Sequence, residues 1–289
     1  MRKIIFPLLL NLLLLSPAYG FTRSNFDSPE SFVSDPETGA YYVSNINGSP
    51  LAKDGNGYIS KISANGNVVI QKFIGGKKDE PLMNSPKGLL VLGKEIWVTD
   101  IDAVRVFHKE TGRLVKVIDA KAFDAKFLND IAVDSQGIVY VSDMFADKIL
   151  RIDPGQNDRI TVFKQGADLG NPNGLIFNPK TGSLMAVTFK SGEILEFDRR
   201  GRIHVLKKGL TALDGIDYDN AGNVYVSSFE KGEIYKIAFY GRGAITVFQS
   251  GLTTPSDISC DRKRNELLIP SLKGNTVTTL FFLDKDRRK

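Results

Sequence analysis

One pattern occurs six times along the chain, and this repeat restricts the possible folds more than any other feature. Each copy begins with a short turn and an apolar strand, then passes through an Asp- or Gly-containing turn into a second strand that ends near Val-Ser. The six openings are SPESFVSD (28–35), SPKGLLVL (85–92), FLNDIAVD (127–134), NPNGLIFN (171–178), ALDGIDYD (212–219) and TPSDISCD (254–261). Their third residues are separated by 57, 42, 44, 41 and 42 residues. A period of this size with several short strands per copy is typical of β-propeller blades.

The fold class follows from this repeat. Apolar and polar residues alternate within the strands, as in Ile194-Leu195-Glu196-Phe197, and no helical period persists. A two-sheet sandwich is the alternative all-β fold, but it does not require six equivalent copies. We therefore predict an all-β protein, a six-bladed β-propeller over residues 21–289. The longer first copy contains the segment 45–56 between its second and third strands, which is either a variable surface loop or a lid over the channel mouth.

Residues 1–20 have the pattern of a secretory signal peptide. Arg2 and Lys3 precede an apolar run over 4–15, and Ala18 and Gly20 supply the small residues of a cleavage site before Phe21. An uncleaved N-terminal anchor is the alternative, although the apolar run is short for a membrane span. We expect a periplasmic or secreted protein that has no membrane attachment after cleavage.

Composition excludes several classes of function. The formal net charge is only +5, and the basic residues are scattered except at 285–289, where a solvated tail is expected, so nucleic-acid binding is not indicated. Cys260 is the single cysteine, so no intrachain disulfide can form. His108 and His204 are the only histidines, too few for a usual zinc site, and no Ser-His-Asp system is evident. We expect a small-molecule ligand, no nucleotide cofactor and a monomeric chain.

The inner strands of a propeller line its central channel, so the third residues of the six openings should converge on the axis. We call this set the axial ring: Glu30, Lys87, Asn129, Asn173, Asp214 and Ser256. Two carboxylates and two side-chain amides supply oxygen donors that suit a hard cation such as calcium. Without a positive charge, Glu30 and Asp214 would be unfavourable neighbours in a confined funnel. Lys87 could itself neutralise them through a salt bridge, or it could hold a carboxylate or oxyanion of a substrate.

Acidic residues also end two of the second strands, which return to the same face of the propeller. Asp100 and Asp143 are either turn formers that accept hydrogen bonds from nearby backbone amides or members of the substrate-binding site that orient its ligands. Both interpretations place them near the funnel rim.

Four motifs in register give the chain a family resemblance. They are Glu30 in the first opening, Asn129-Asp130 in the third, Asn173-Gly174 in the fourth and Asp214-Gly215 in the fifth. With these motifs the chain resembles the regucalcin/gluconolactonase-like (senescence marker protein-like) propellers, which are calcium-dependent lactone hydrolases and their relatives. The resemblance implies that Glu30, Asn173 and Asp214 bind the metal. It also implies that Asn129 contacts water or substrate and that Asp214 acts as the general base.

Two residues depart from the family pattern. Ser31 follows Glu30 where the family usually has Gly-Pro, which puts the local backbone in question. Phe127 stands two residues before Asn129, where sugar-lactone hydrolases of the group tend to have arginine. This second difference favours an apolar or aromatic substrate over a sugar lactone.

Three functional hypotheses follow. The first is an exported, calcium-dependent hydrolase of a lactone or related ester, with Asp214 and Asn129 as catalytic residues and Lys87, Asn129, Asp100 and Asp143 at the substrate. The second is a non-catalytic exported propeller that binds a ligand or protein partner on its funnel face, since fold alone does not separate the two. The third, similar to strictosidine synthase-like propellers, uses a funnel glutamate without metal.

Overall fold

The computed structural model describes residues 19–76 and 83–282 and contains six antiparallel four-stranded sheets. The inner strands are β2 (Pro29–Ser34), β6 (Pro86–Leu92), β10 (Leu128–Val133), β14 (Pro172–Asn178), β18 (Leu213–Tyr218) and β22 (Ser259–Asp261). The second strands are β3 (Tyr41–Asn45), β7 (Glu95–Asp100), β11 (Val139–Asp143), β15 (Ser183–Thr188), β19 (Val224–Ser228) and β23 (Glu266–Ser271). The third strands are β4 (Tyr58–Ile62), β8 (Ala103–His108), β12 (Lys148–Asp153), β16 (Ile194–Phe197), β20 (Glu233–Ile237) and β24 (Thr276–Phe281). The outer strands are β5 (Val69–Gly75), β9 (Leu114–Asp119), β13 (Arg159–Gln165), β17 (Ile203–Lys207), β21 (Ile245–Gln249) and β1 (Tyr19–Ser24).

Each sheet is one blade of a six-bladed β-propeller, which confirms the predicted fold. Consecutive inner strands contact one another in a closed ring, with β22 returning to β2. Helical segments are short: 3₁₀ turns at Lys121–Phe123, Met144–Ala146, Pro154–Gln156 and Ala167–Leu169, and a four-residue helical turn at Ala238–Gly241. Within residues 19–76 and 83–282, no helix is long and apolar enough to cross a membrane. The predicted signal peptide as far as Ala18 and the basic tail 285–289 lie outside the described residues.

The last blade is completed by the start of the chain. Strand β1 pairs antiparallel with β24, so the sixth sheet has the order β1-β24-β23-β22. The Phe21 ring contacts the rings of Phe32 and Tyr41 in the first blade at 6.4 and 5.5 Å between centroids. This strand therefore joins the last blade to the first. The predicted signal-peptide cut after Gly20 falls inside β1 and would leave Phe21–Ser24 of the strand.

The core consists of apolar side chains packed between adjacent blades. In the described part of the chain, a separate buried cluster fills each inter-blade space. Trp97 lies in the cluster between the second and third blades, and Cys260 lies in the cluster between the fifth and sixth, so both are packing residues. Burial of large side chains in this way supplies most of the stabilisation of a fold that has no disulfide.

Candidate active site

A cavity of about 750 Å³ opens at the end of the axis where the inner strands begin. The axial-ring residues that line it are Glu30, Lys87, Asn129, Asn173 and Asp214. Ser256, the sixth, does not line the cavity, because its hydroxyl donates to the Glu30 and Pro29 carbonyl oxygens and joins the sixth blade to the first. The structure thus brings five of the six aligned positions to one site.

A backbone irregularity places these side chains in the channel. In each of the first five blades, the pairing of inner and second strands shifts register across the ring residue and the residue after it, as between Pro29 and Phe32 or between Leu213 and Ile216. Bulges of this kind redirect side chains and are common beside active sites. They leave backbone amides without a ladder partner.

Hydroxyl groups at the ends of the second strands accept hydrogen bonds from these amides. The Ser44 hydroxyl accepts from the Ser31 N–H at 2.9 Å, and Ser142 and Ser227 accept in the same way in the third and fifth blades, at 2.9 and 2.8 Å. Ser227 also donates to the Ser256 carbonyl oxygen of the next blade at 2.8 Å. The recurrent Val-Ser ending seen in the sequence is therefore part of the support of the site.

Glycines follow three ring residues because the inner strands approach one another closely at the axis. A side chain at position 215 would place its Cβ 2.3 Å from the Ile258 nitrogen, and one at 174 would lie 2.5 Å from the Asp214 carbonyl oxygen. Gly88 is similarly confined by the Asn129 carbonyl oxygen at 2.7 Å. The Asn-Gly and Asp-Gly pairs of the sequence thus allow close packing of strands and do not form turns.

The ring concentrates acceptor oxygens that have no donor. Glu30 and Asp214 are 5% and 6% exposed. Buried oxygens without a hydrogen-bond partner include Glu30 Oε2, Asn129 Oδ1 and Asp214 Oδ1. Burial is the main cause that raises the pKa of both carboxyl groups, and for Glu30 the charges of Asp257, Asp214 and Asp130 raise the pKa further. Buried acceptors are rarely left unpaired, so this group of atoms is suited to bind a cation.

Asp130 and Asp257 form a second acidic group below the ring. They occupy the residue after the ring position in the third and sixth blades, where the second, fourth and fifth blades have glycine. The Asp130 carboxylate accepts from the backbone amides of Ile131 at 2.7 Å and Leu175 at 2.6 Å, which connects neighbouring blades. Burial raises the pKa of Asp257 to about 7. The alignment of the six copies contains the signal for this pair, since both residues follow the ring position directly.

Lys87 lies beside the acidic group without pairing with it. Its ammonium donates to the Ser85 carbonyl oxygen at 2.9 Å and the Ser85 hydroxyl at 3.3 Å, and it lies 4.2 Å from the centre of the Phe127 ring. Among the described residues, no carboxylate oxygen is within 4.0 Å of this nitrogen. Burial lowers the pKa of Lys87 to about 8, although the charges of Glu30 and Asp100 oppose this effect. The salt-bridged funnel considered from the sequence is therefore not the arrangement found.

Asp100 and Asp143 have the turn role rather than a place at the substrate. The Asp100 carboxylate accepts from the Asn84 and Ser85 amides and pairs with Arg105 at 2.8 Å. The Asp143 carboxylate accepts from the Lys126 and Phe127 amides, each at 2.9 Å. Neither residue lines the cavity. Their assignment as substrate-binding residues is therefore corrected: they hold the turns that precede Lys87 and Asn129.

Apolar side chains and the segment 45–56 shape the mouth of the cavity. Ile46 and Pro50 of this segment line the cavity, and the Lys53 ammonium pairs with the Asp102 carboxylate of the second blade at 2.6 Å. The segment therefore borders the mouth of the cavity. The lining also contains two aromatic pairs, Phe127 with Phe145 and Phe189 with Phe229.

The donor set fits a hard cation by its chemistry. Within residues 19–76 and 83–282, no group of three or more His, Cys, Asp and Glu side chains is arranged to hold a metal ion. The predicted set has only two carboxylates, those of Glu30 and Asp214, and the amide oxygen of Asn173 would complete it. Two of the unpartnered oxygens, Glu30 Oε2 and Asp214 Oδ1, belong to this set, and the third, Asn129 Oδ1, belongs to the residue expected beside the ion.

Comparisons with known proteins agree with this architecture. The family model described as SMP-30/Gluconolactonase/LRE-like region matches residues 29–269. No curated protein matches the chain. A catalytically inactive virginiamycin B lyase from Staphylococcus aureus, solved with quinupristin, has a TM-score of 0.63 at 14% identity, covering 91% of this chain and 99% of that chain.

Two further solved structures are similar. A Bacteroides thetaiotaomicron protein of unknown function has a TM-score of 0.67 at 13% identity, over 92% of this chain and 73% of that chain. A streptogramin B lyase has a TM-score of 0.61 at 15% identity, over 90% and 97%. Likeness at such low identity shows the propeller fold and leaves the activity to be argued from the site.

Proposed function

Because the chain belongs to the SMP-30/gluconolactonase/LRE-like family, we propose that it is an exported, calcium-dependent hydrolase of a lactone or related ester. Metal dependence is common in this family. The observation that carries the proposal is the convergence of Glu30 Oε2, Asn129 Oδ1 and Asp214 Oδ1, all buried and unpartnered, at the floor of one cavity.

Each ring residue has a role in this proposal. Glu30, Asn173 and Asp214 would hold the calcium ion, which would polarise the ester carbonyl and lower the pKa of a bound water. Asn129 orients water or the carbonyl group through its amide, whose nitrogen contacts the Met144 sulfur at 3.6 Å. Asp214 would accept the proton of the attacking water, since its carboxylate lines the cavity together with Asn129. Lys87 stabilises the negative charge that develops on the carbonyl oxygen.

Calcium binding is tested by thermal unfolding. Calcium should raise the unfolding midpoint of the wild-type protein by mass action and should leave that of Glu30→Gln almost unchanged. Glu230→Gln at the exposed rim of the cavity is the matched control and should respond to calcium like the wild type. An equal response of Glu30→Gln and wild type would contradict the proposed ligand set.

Catalysis is tested separately with a panel of lactones. Chelation of divalent ions should abolish turnover, and Asp214→Asn should lower kcat by about 10³-fold or more without loss of folding. Turnover that persists after chelation would overturn the metal-dependent mechanism. A calcium-binding protein that turns over no lactone or ester would instead be the non-catalytic propeller.

Export is tested at the N-terminus. We propose that cleavage follows Gly20, which leaves Phe21 as the first residue. N-terminal sequencing of protein recovered from the periplasm or medium of an expressing bacterium should begin at Phe21. Recovery of the uncleaved chain with the membranes would contradict this proposal.

A further inference from the structure

The mouth of the cavity presents two aromatic pairs above the axial ring. The rings of Phe127 and Phe145 are stacked at 4.4 Å between centroids and 25° between planes. Those of Phe189 and Phe229 lie 6.1 Å apart with a tilt of 58°. Phe145 is 48% exposed, whereas Phe127 is 7% exposed. The Phe127 ring is thus buried at the floor of the cavity, and the Phe145 ring is exposed at its mouth.

Beyond the axial ring, the polar side chains that line the cavity are few: Asn171, Thr211, Lys190 and Glu230. The Asn171 amide donates to the Met144 carbonyl oxygen at 2.7 Å, and the charged Lys190 and Glu230 lie on the exposed outer edge of the cavity. Between ring and edge the lining consists mainly of carbon side chains such as Ile46, Leu210 and Leu272. Hydroxyl groups of a sugar lactone would lose water there without gaining equivalent hydrogen bonds.

From these observations we propose that the mouth is a subsite for an apolar, ring-bearing substituent, so that the substrate is an aryl-substituted lactone or ester rather than a hydroxylated sugar lactone. The ester part of this inference rests on the proposed function; the apolar subsite does not. The substituent would lie on the exposed face of Phe145, between this ring and the Phe189–Phe229 pair. Aromatic faces at such spacing favour offset or edge contacts with a further ring.

The position of the subsite determines which kinetic constant it affects. The ester would lie at the floor with Glu30, Asn129 and Asp214, whereas the substituent would lie at the mouth. Contacts at the mouth are the same in the bound substrate and in the transition state, so their loss raises KM and leaves kcat unchanged. A substitution that disturbed the catalytic residues of the axial ring would lower kcat instead.

The test compares two six-membered lactones, δ-phenyl-δ-valerolactone and glucono-δ-lactone, with calcium present. We expect wild-type kcat/KM to be at least about tenfold higher for the phenyl lactone, and Phe145→Ala to raise KM for that lactone about tenfold at unchanged kcat. Phe239→Ala removes the same ring from an exposed position outside the cavity and should change neither constant.

A binding measurement separates this inference from the proposed function. The phenyl lactone is titrated into Asp214→Asn, with and without Phe145→Ala, by calorimetry or ligand-observed NMR. Binding that weakens with Phe145→Ala supports the subsite even if the protein hydrolyses no lactone. Preference for the sugar lactone, an unchanged KM in Phe145→Ala, or no binding of the phenyl lactone overturns the subsite and leaves the calcium-dependent hydrolase standing on its own tests.

Discussion

The Lys87 ammonium is held at the edge of the proposed cation site by Ser85 and by the face of Phe127. Its positive charge affects both calcium binding and catalysis in the proposed function. It opposes the entry of a second cation near Glu30, and it favours the negative charge that develops on the substrate carbonyl oxygen. Conversion to methionine keeps the length and the packing on Phe127 while removing the charge.

We therefore expect Lys87→Met to bind calcium about tenfold more tightly and to lower kcat about a hundredfold. Isothermal titration near neutral pH measures the first effect, because the pKa of Lys87 at about 8 keeps the wild-type side chain mostly charged there. Lys190→Met at the exposed rim is the control and should alter calcium affinity less than about twofold, since solvent and salt screen its charge. Weaker calcium binding in Lys87→Met would show that Lys87 supports the site instead of repelling the ion.

At the scale of residues, the sequence predicted the members of the ring but not all of their neighbours. The aligned third positions identified Glu30, Asn173 and Asp214, because a propeller turns equivalent positions into spatial neighbours. The unpaired state of Lys87 could not be predicted, since it depends on a carbonyl group and an aromatic ring brought close by the bulged backbone. For Asp100 and Asp143 the sequence predicts either a turn role or a place at the substrate, and the contacts with local amides decide between the two.

At the scale of elements, the repeat predicted six blades but did not indicate which segment supplies the outer strand of the sixth. Strand β1 fills this place, and nothing in its sequence, Tyr19–Ser24, distinguishes it from any short exposed strand. The register shifts at the start of the first five inner strands were equally hidden. A one-residue irregularity leaves the alternation of apolar residues beyond it almost unchanged, so periodicity does not report it.

Removal of β1 should destabilise the closed ring. A chain that begins at Asn25 loses the pairing with β24 and the contacts of Phe21 with Phe32 and Tyr41. Its unfolding midpoint should fall by about 10 °C or more, given that a loss of 1 kcal/mol lowers the midpoint of a domain this large by about 2–4 °C. A chain that begins at Phe21 retains these contacts and is the matched control. Equal midpoints for the two chains would show that β1 does not close the propeller.

At the scale of the whole molecule, folding gathers four carboxyl groups at the axis of the propeller. Burial raises the pKa of Glu30, Asp130 and Asp214, and raises that of Asp257 to about 7. The same groups ionise near their ordinary values, 3.8 for Asp and 4.5 for Glu, once the chain unfolds. The folded state therefore binds more protons than the unfolded state between these limits, and its stability falls as pH rises. A cation bound at the axial ring would neutralise the carboxylates that form when these groups lose their protons.

This linkage predicts that the unfolding midpoint depends on pH differently with and without metal. In the presence of a chelator, the unfolding midpoint should fall between about pH 5 and about pH 7.5, because these carboxyl groups ionise in the unfolded chain first. Carboxyl groups whose pKa is lowered in the folded protein, such as those of Asp35 and Glu196, lose their stabilising effect only below this pH range. The lowered pKa of Lys87, about 8, makes stability rise with pH only above about pH 8. Neither effect therefore masks the fall in the midpoint. Saturating calcium should remove most of the fall in the wild type. Glu30→Gln, with one fewer buried charge, should show a shallower fall and little response to calcium. A midpoint in chelator that is flat or rises over this range would mean that the axial carboxyl groups are compensated by the protein itself and that no cation is needed there.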